Sequence, residues 1–171
     1  PMNPCRSQPA ILRFKNAADG YCQCLDKVLA DKAPLQEILF TLSEVYAAAH
    51  FLPPVHESQI DVIDIPPENL YVPIKSWELV KKLSAMFTKD GRIAHVFNPW
   101  DDPANAAVEG YIGDELLDIY NDLRKGLALW NTKDSYTAEA VYGWRESFVL
   151  HWGRHAVVAL HALHTYIYYK K

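Results

Sequence analysis

Five stretches of this chain repeat apolar residues at alternating steps of three and four. That period admits little besides amphipathic helices packed on one another. In the first stretch, Ile11, Phe14, Ala18, Tyr21, Leu25 and Val28 form one stripe. Pro9 suits its first turn, where a backbone N–H would have no helical partner anyway. The second opens at Asp31 and Pro34, carries Leu35, Ile38, Leu42, Val45 and Ala49, and stops at Pro53-Pro54. The third runs from Ser76, an N-cap residue, through Leu79, Val80, Leu83 and Phe87 to a Lys89-Asp90-Gly91 stop.

The fourth stretch is YIGDELLDIYNDLRKGLALW, with Ile112, Leu116, Ile119, Tyr120, Leu123, Leu127 and Trp130 on its apolar face. Asp114 and Glu115 fall in its first turn, where the helix dipole favours anions. The fifth begins near Asp134 or Thr137 and runs almost to the end of the chain, long enough to expect a kink near Gly153. The fold expected is therefore all-α: an antiparallel bundle of about five helices, one domain over residues 1–171, with two long irregular loops. Short connections make sequential helices antiparallel, and 171 residues suffice for one substantial core.

The two loops, residues 52–73 and 91–111, exceed the usual length, and loops of that size tend to carry function. Ile60-x-Val62-Ile63-x-Ile65 and Ile93 to Phe97 have the look of short strands. Trp100, in Asn-Pro-Trp-Asp-Asp-Pro, is expected to plug into the bundle as a loop anchor.

The formal charge of −4, with no basic run beyond Lys170-Lys171, argues against a nucleic-acid partner. No apolar run reaches the length of a membrane span. The opening PMNPCRSQPAILRF lacks the apolar core of a signal peptide, so a cytoplasmic protein with no membrane partner is expected. The cysteines, Cys5, Cys22 and Cys24, are odd in number and read as free thiols. Cys22 and Cys24 sit two apart on a helix and point to different sides, so they are expected to be buried structural thiols rather than a metal pair.

The candidate chemistry lies in HWGRHAVVALHALH, residues 151–164, which holds four of the seven histidines. At about 100° per residue, Trp144, Phe148, His151, His155, Ala162 and Tyr166 share one core-facing stripe, while His161 and His164 point elsewhere. His151 and His155 thus stand where apolar residues are expected. On the fourth helix Glu115, Asp118 and Asp122 share a side. They read either as a solvated acidic face or as part of a buried polar network.

Two chemistries follow. His-x-x-x-His on one face is a valid two-ligand metal element, and Asp118 and Asp122 would complete a shell with His151 and His155. Against it, Trp152 stands where a zinc protease has its catalytic Glu, and no Glu lies three residues before any His, as di-iron bundles require. The other reading is a pair of core histidines bonded to carboxylates, tyrosines or carbonyls, which also suits a ligand pocket. No phosphate-cradling glycine loop and no G-x-S-x-G elbow occurs.

Three segments resemble a known family: GDELLDIYNDLRKGL (113–127), FVLHWGRHAVVALHALH (148–164) and LFTLSEVYAAAHFLP (39–53). The pattern is similar to a bacterial all-helical family annotated only as a domain of unknown function. It pairs an acidic D-[DE]-L-x-D-I-Y-x-D-L segment with a W-x-x-x-F-x-x-H-W-G-x-H segment. Asp118, Tyr120, Asp122, Trp144, Phe148, His151, Trp152, Gly153 and His155 all fall on it. The resemblance implies a helical bacterial cytoplasmic protein and no reaction. It implies that the two segments belong together, so that Asp118 or Asp122 would approach His151 or His155, or pair with Arg145 or Arg154.

The functional expectation is a non-catalytic binding or regulatory module, an immunity or inhibitor protein being the sharper form, with a protein or small-molecule partner and no cofactor. Its binding residues or core polar network would be His151, His155, Asp118, Asp122, Tyr120, Trp144 and Trp152. The alternative is a metal-dependent hydrolase holding a divalent metal on His151, His155, Asp118 and Asp122.

Overall fold

The structure is a computed structural model and describes residues 4–30, 34–55, 60, 70, 77–96, 100 and 107–169. Six α-helices dominate: α1 (Pro9–Leu29), α2 (Leu35–Ala49), α3 (Trp77–Ala85), α4 (Ile112–Thr132), α5 (Thr137–Ser147) and α6 (Gly153–Tyr168). A π-helical turn, Phe148–Trp152, joins α5 and α6 into one rod, so the bundle has the five helical bodies its periodicity demands. On α1, α2 and α4 the apolar stripes lie on the buried faces. Ile11, Phe14, Ala18, Tyr21 and Leu25 are fully buried on α1, as are Ile38, Leu42 and Val45 on α2 and Leu116, Ile119 and Leu123 on α4.

Side-chain contacts set the directions. Lys27 meets Glu37 at 2.6 Å and Arg13 lies over Phe51, so α2 returns along α1. Arg6 bonds the Trp130 carbonyl and Tyr21 Oη donates to the Leu116 carbonyl at 2.8 Å, so α4 also runs against α1. The α5–α6 rod runs against α4, from Trp130–Trp144 at one end to Glu115–His155 at the other. The bundle is antiparallel, with aromatic packing at its centre. The Phe14 ring stands 5.1 Å from Trp144 and 6.3 Å from Trp152, in the tilted arrangements that ring quadrupoles favour.

The fit of α4 against α5 depends on Gly126. A Cβ there would meet Trp144 Nε1 at 2.1 Å, so only hydrogen leaves room for the indole. Trp144 Nε1 then donates to the Leu123 carbonyl at 3.1 Å. Buried Tyr21, Cys22 and Cys24 complete the α1 face; both cysteines are free thiols, as their spacing predicts.

Several expectations need correction. The helical pattern does not continue through Phe87, since α3 ends at Ala85. Lys89 and Asp90 take left-handed conformations and turn the chain into a strand. The 91–111 segment is not wholly irregular: β1 (Arg92–His95) pairs antiparallel with β2 (Val108–Tyr111), Arg92 opposite Tyr111 and His95 opposite Val108. The strand expected near Ile93 is thus present, while Val108–Tyr111 was missed because Gly110 breaks its apolar alternation. Trp100 does not plug into the bundle; it is 92% exposed. The expected strand at 60–65 and the Ser76 cap fall outside the described residues, apart from Ile60.

The most consequential correction concerns the last rod. The π turn closes through the Gly153 N–H, which donates to the Phe148 carbonyl five residues back. A Cβ on Gly153 would stand 2.3 Å from that carbonyl oxygen, so the residue must be glycine. The extra residue in this turn rotates everything after it. Trp152, Gly153, Ala156, Ala159 and Leu163 become the buried line, and His151 moves out to the surface. A uniform 100° step had placed His151 in the core.

Candidate functional site: a histidine–carboxylate cluster between α4 and α6

Antiparallel helices pair residues whose numbers have a nearly constant sum, and three such pairs cross the α4–α6 seam. His155 Nδ1 lies 2.7 Å from Glu115 Oε2. His155 Nε2 lies 3.8 Å from Asp118 Oδ2. One turn along, His151 Nδ1 lies 2.7 Å from Asp122 Oδ2. The imidazole rings stand edge to face, 4.7 Å between centroids. Glu115, Asp118 and Asp122 therefore lie in a polar network with the last rod.

Burial grades across the cluster. Glu115 and His155 are deepest, with side chains 11% and 17% exposed; Asp118 and His151 are about half exposed, at 46% and 47%. Hydrogen bonding to Glu115 raises the His155 pKa; partial burial opposes this, and the Glu115 and Asp118 charges reinforce it. The Asp118 pKa is raised by partial burial, against the pull of the His155 and His151 imidazoles. The inner pair thus favours imidazolium bonded to carboxylate, whereas Asp118 is a carboxylate with no short hydrogen bond to either ring.

One ligand atom from each of Asp118, His151 and His155 lies within 4.8 Å of the others. Two ligands about 2.1 Å from one ion stand at most about 4.2 Å apart. Small rotations of the exposed His151 and Asp118 would close that gap. The outer carboxylates are placed as a metal site needs them. Glu115 and Asp122 each hold a histidine by Nδ1, which fixes the tautomer and aims Nε2 away from them. Asp122, expected as a ligand, sits behind His151 instead. Glu115, left out of the expected ligand set, sits behind His155.

The other expected site residues lie elsewhere. Trp144 and Trp152 are fully buried core residues. The Trp152 indole N–H donates to the Trp144 carbonyl at 3.4 Å. Tyr120 faces α1: its hydroxyl donates to Asp26 at 2.7 Å and accepts from Arg124 Nε at 3.1 Å, and Arg124 bonds Asp26 in turn. Among the described residues, no hydrogen bond or ring pair joins that triad or the tryptophans to His151 or His155. Arg145 does not pair with Asp118 or Asp122; it bonds the Leu52 carbonyl. His161 and His164 are exposed, as their helical positions predict.

The geometry defines an all-helical bundle protein with a two-histidine, carboxylate-backed cluster on the seam of its last two long helices. The profile of a domain of unknown function, DUF5063, matches residues 7–169, and the chain belongs to that family. Its fold is similar to the crystal structure of protein BF1032 from Bacteroides fragilis, with a TM-score of 0.74 at 20% identity over 96% of each chain. No curated protein matches it. Among the described residues, no helix is long and apolar enough to cross a membrane.

Proposed function

We propose that this protein binds one divalent transition metal on Asp118, His151 and His155, and that the site has the composition of a metal-dependent hydrolase. The observation that carries this reading is the convergence of the three ligand atoms with a carboxylate behind each imidazole. Imidazole with carboxylate suits zinc, iron or nickel better than magnesium or calcium. Three protein ligands leave a coordination position for water, the arrangement of catalytic rather than structural zinc. A bound ion would act there as a Lewis acid and lower the pKa of that water towards about 7. Half-exposed His151 and Asp118 put the position on the solvent side, within reach of a substrate.

Protein purified without a histidine tag tests this by elemental analysis and zinc titration. One ion per chain, lost in His155→Ala, supports the site. Absence of binding by zinc, iron, nickel and manganese would reject it. The non-catalytic binding module draws support from a different feature, a ligand-sized cavity between β1 and α6.

A further inference from the structure

A cavity of about 600 Å³ opens between β1 and α6. Its size falls within the range of small-molecule sites. Ile93, Val96, Ile112, Val158 and Ala162 supply an apolar wall, and the rings of Phe87 and Tyr166, 5.0 Å apart and edge to face, close one end. None of the histidine–carboxylate cluster lines it.

The polar lining is one-sided. Arg92, His95 and His161 contribute cationic or donor groups, and no Asp or Glu appears among the described lining residues of a chain whose formal charge is −4. Arg92 is shared with Glu109 at 3.9 Å, so the distinctive group is His95. Its Nδ1 is shielded from solvent and has no hydrogen-bond partner among the described residues. Leaving such an atom unpaired costs stability, and a bound acceptor would recover it.

The backbone explains how the ring is held. His95 points inward from β1 beside Gly110 of β2. A Cβ on Gly110 would stand 3.6 Å from His95 Nε2 and 3.7 Å from Glu115 Oε1. The Nε2 edge of the imidazole thus lies against Gly110, on the side of the Glu115 carboxylate. The opposite edge carries Nδ1, the unpaired atom of a residue that lines the cavity.

We propose that this cavity binds a small organic carboxylate with an apolar or aromatic body, the carboxylate accepting a hydrogen bond from His95 Nδ1 and the body lying between Ile93 and Val158. The cavity lining shares no residue with the proposed metal ligands.

Calorimetric titration of the chelator-treated full chain with 4-phenylbutyrate tests it, with 4-phenylbutanol as the uncharged counterpart. Saturable one-to-one binding is expected for the acid, with the alcohol at least tenfold weaker. His95→Phe keeps the ring volume and should weaken the acid at least tenfold while leaving the alcohol unchanged. Val158→Trp should abolish both by filling the cavity. Amide shift mapping on the unmodified chain avoids any dependence on variant folding, and the shifts should concentrate at Ala94, Val158, His161 and Thr165. No binding, equal affinity for acid and alcohol, or shifts away from these residues would overturn the proposal.

Discussion

His155 Nδ1 stands 2.7 Å from Glu115 Oε2, joining α6 to the first turn of α4 through the one charged residue that the described core buries. Glu115 also sits at the positive end of the α4 dipole. Two independent features therefore stabilise the same carboxylate, and a histidine covers it.

Removing the histidine strands that carboxylate. His155→Ala should lower unfolding free energy by about 2 kcal/mol, the cost of a buried acceptor left without its donor. His151→Ala, at the surface, should cost under about 0.5 kcal/mol, and so should His161→Ala. Urea denaturation of the three variants checks this. Equal losses at all three positions would contradict the graded burial.

Carboxylates behind ligand histidines tune metal sites without touching the ion. Glu115→Gln should weaken zinc binding about 10- to 100-fold, and Asp122→Asn should weaken it in the same direction. Competition with a fluorescent zinc chelator measures both. Unchanged affinity in Glu115→Gln would mean that His155 needs no orienting partner.

The raised His155 pKa sets a pH dependence whose sign depends on metal. In chelator, the imidazolium–Glu115 pair contributes fully below the unfolded histidine pKa, about 6.5. That contribution fades as pH rises through the higher folded value. With zinc the trend reverses, because a ligand imidazole must lose its proton. Melting temperature should therefore fall with pH in chelator across this window and rise in zinc, relative to His155→Ala under the same conditions. Parallel slopes in the two media would remove His155 from the site.

Gly126→Ala tests the packing of α4 on α5. The methyl would overlap the Trp144 indole and displace its N–H from the Leu123 carbonyl. A loss of about 3 kcal/mol is expected, at the upper end for overpacked cores, with altered near-ultraviolet circular dichroism from the tryptophan. A variant as stable as the parent would show that the two helices can separate without cost.

The thiols of Cys22 and Cys24 should resist modification. Both are buried, and burial raises both thiol pKa values. Peptide mapping after brief maleimide treatment should find them labelled only in denaturant. Rapid native labelling at Cys22 would mean that α1 opens readily.

Much of the architecture was legible because it follows from local periodicity. Every stripe residue of α1 and α4 is buried, as is every one on α2 except half-buried Leu35, since an apolar line at helical spacing has one favourable way to leave water. The pairing of α4 with the last rod was implied by the family resemblance, and Asp122 does face His151 and Asp118 does lie near His155. Glu115 was left out of the expected site although it shares a side with Asp118 and Asp122; that side becomes interior at Glu115 only because the last rod lies against it.

The sequence by itself determined which residues must be buried along uninterrupted helices, and that the chain would be a bundle. Only the tertiary structure decided where the last rod breaks phase. The π turn at Phe148–Trp152 adds one residue to a helical turn, and its closing bond to Phe148 depends on Gly153 lying against that carbonyl. A periodicity argument assumes a constant angle per residue, so it loses its reference at that turn. That single step turned Trp152 into the core, brought His151 to the surface and left His155 facing Glu115.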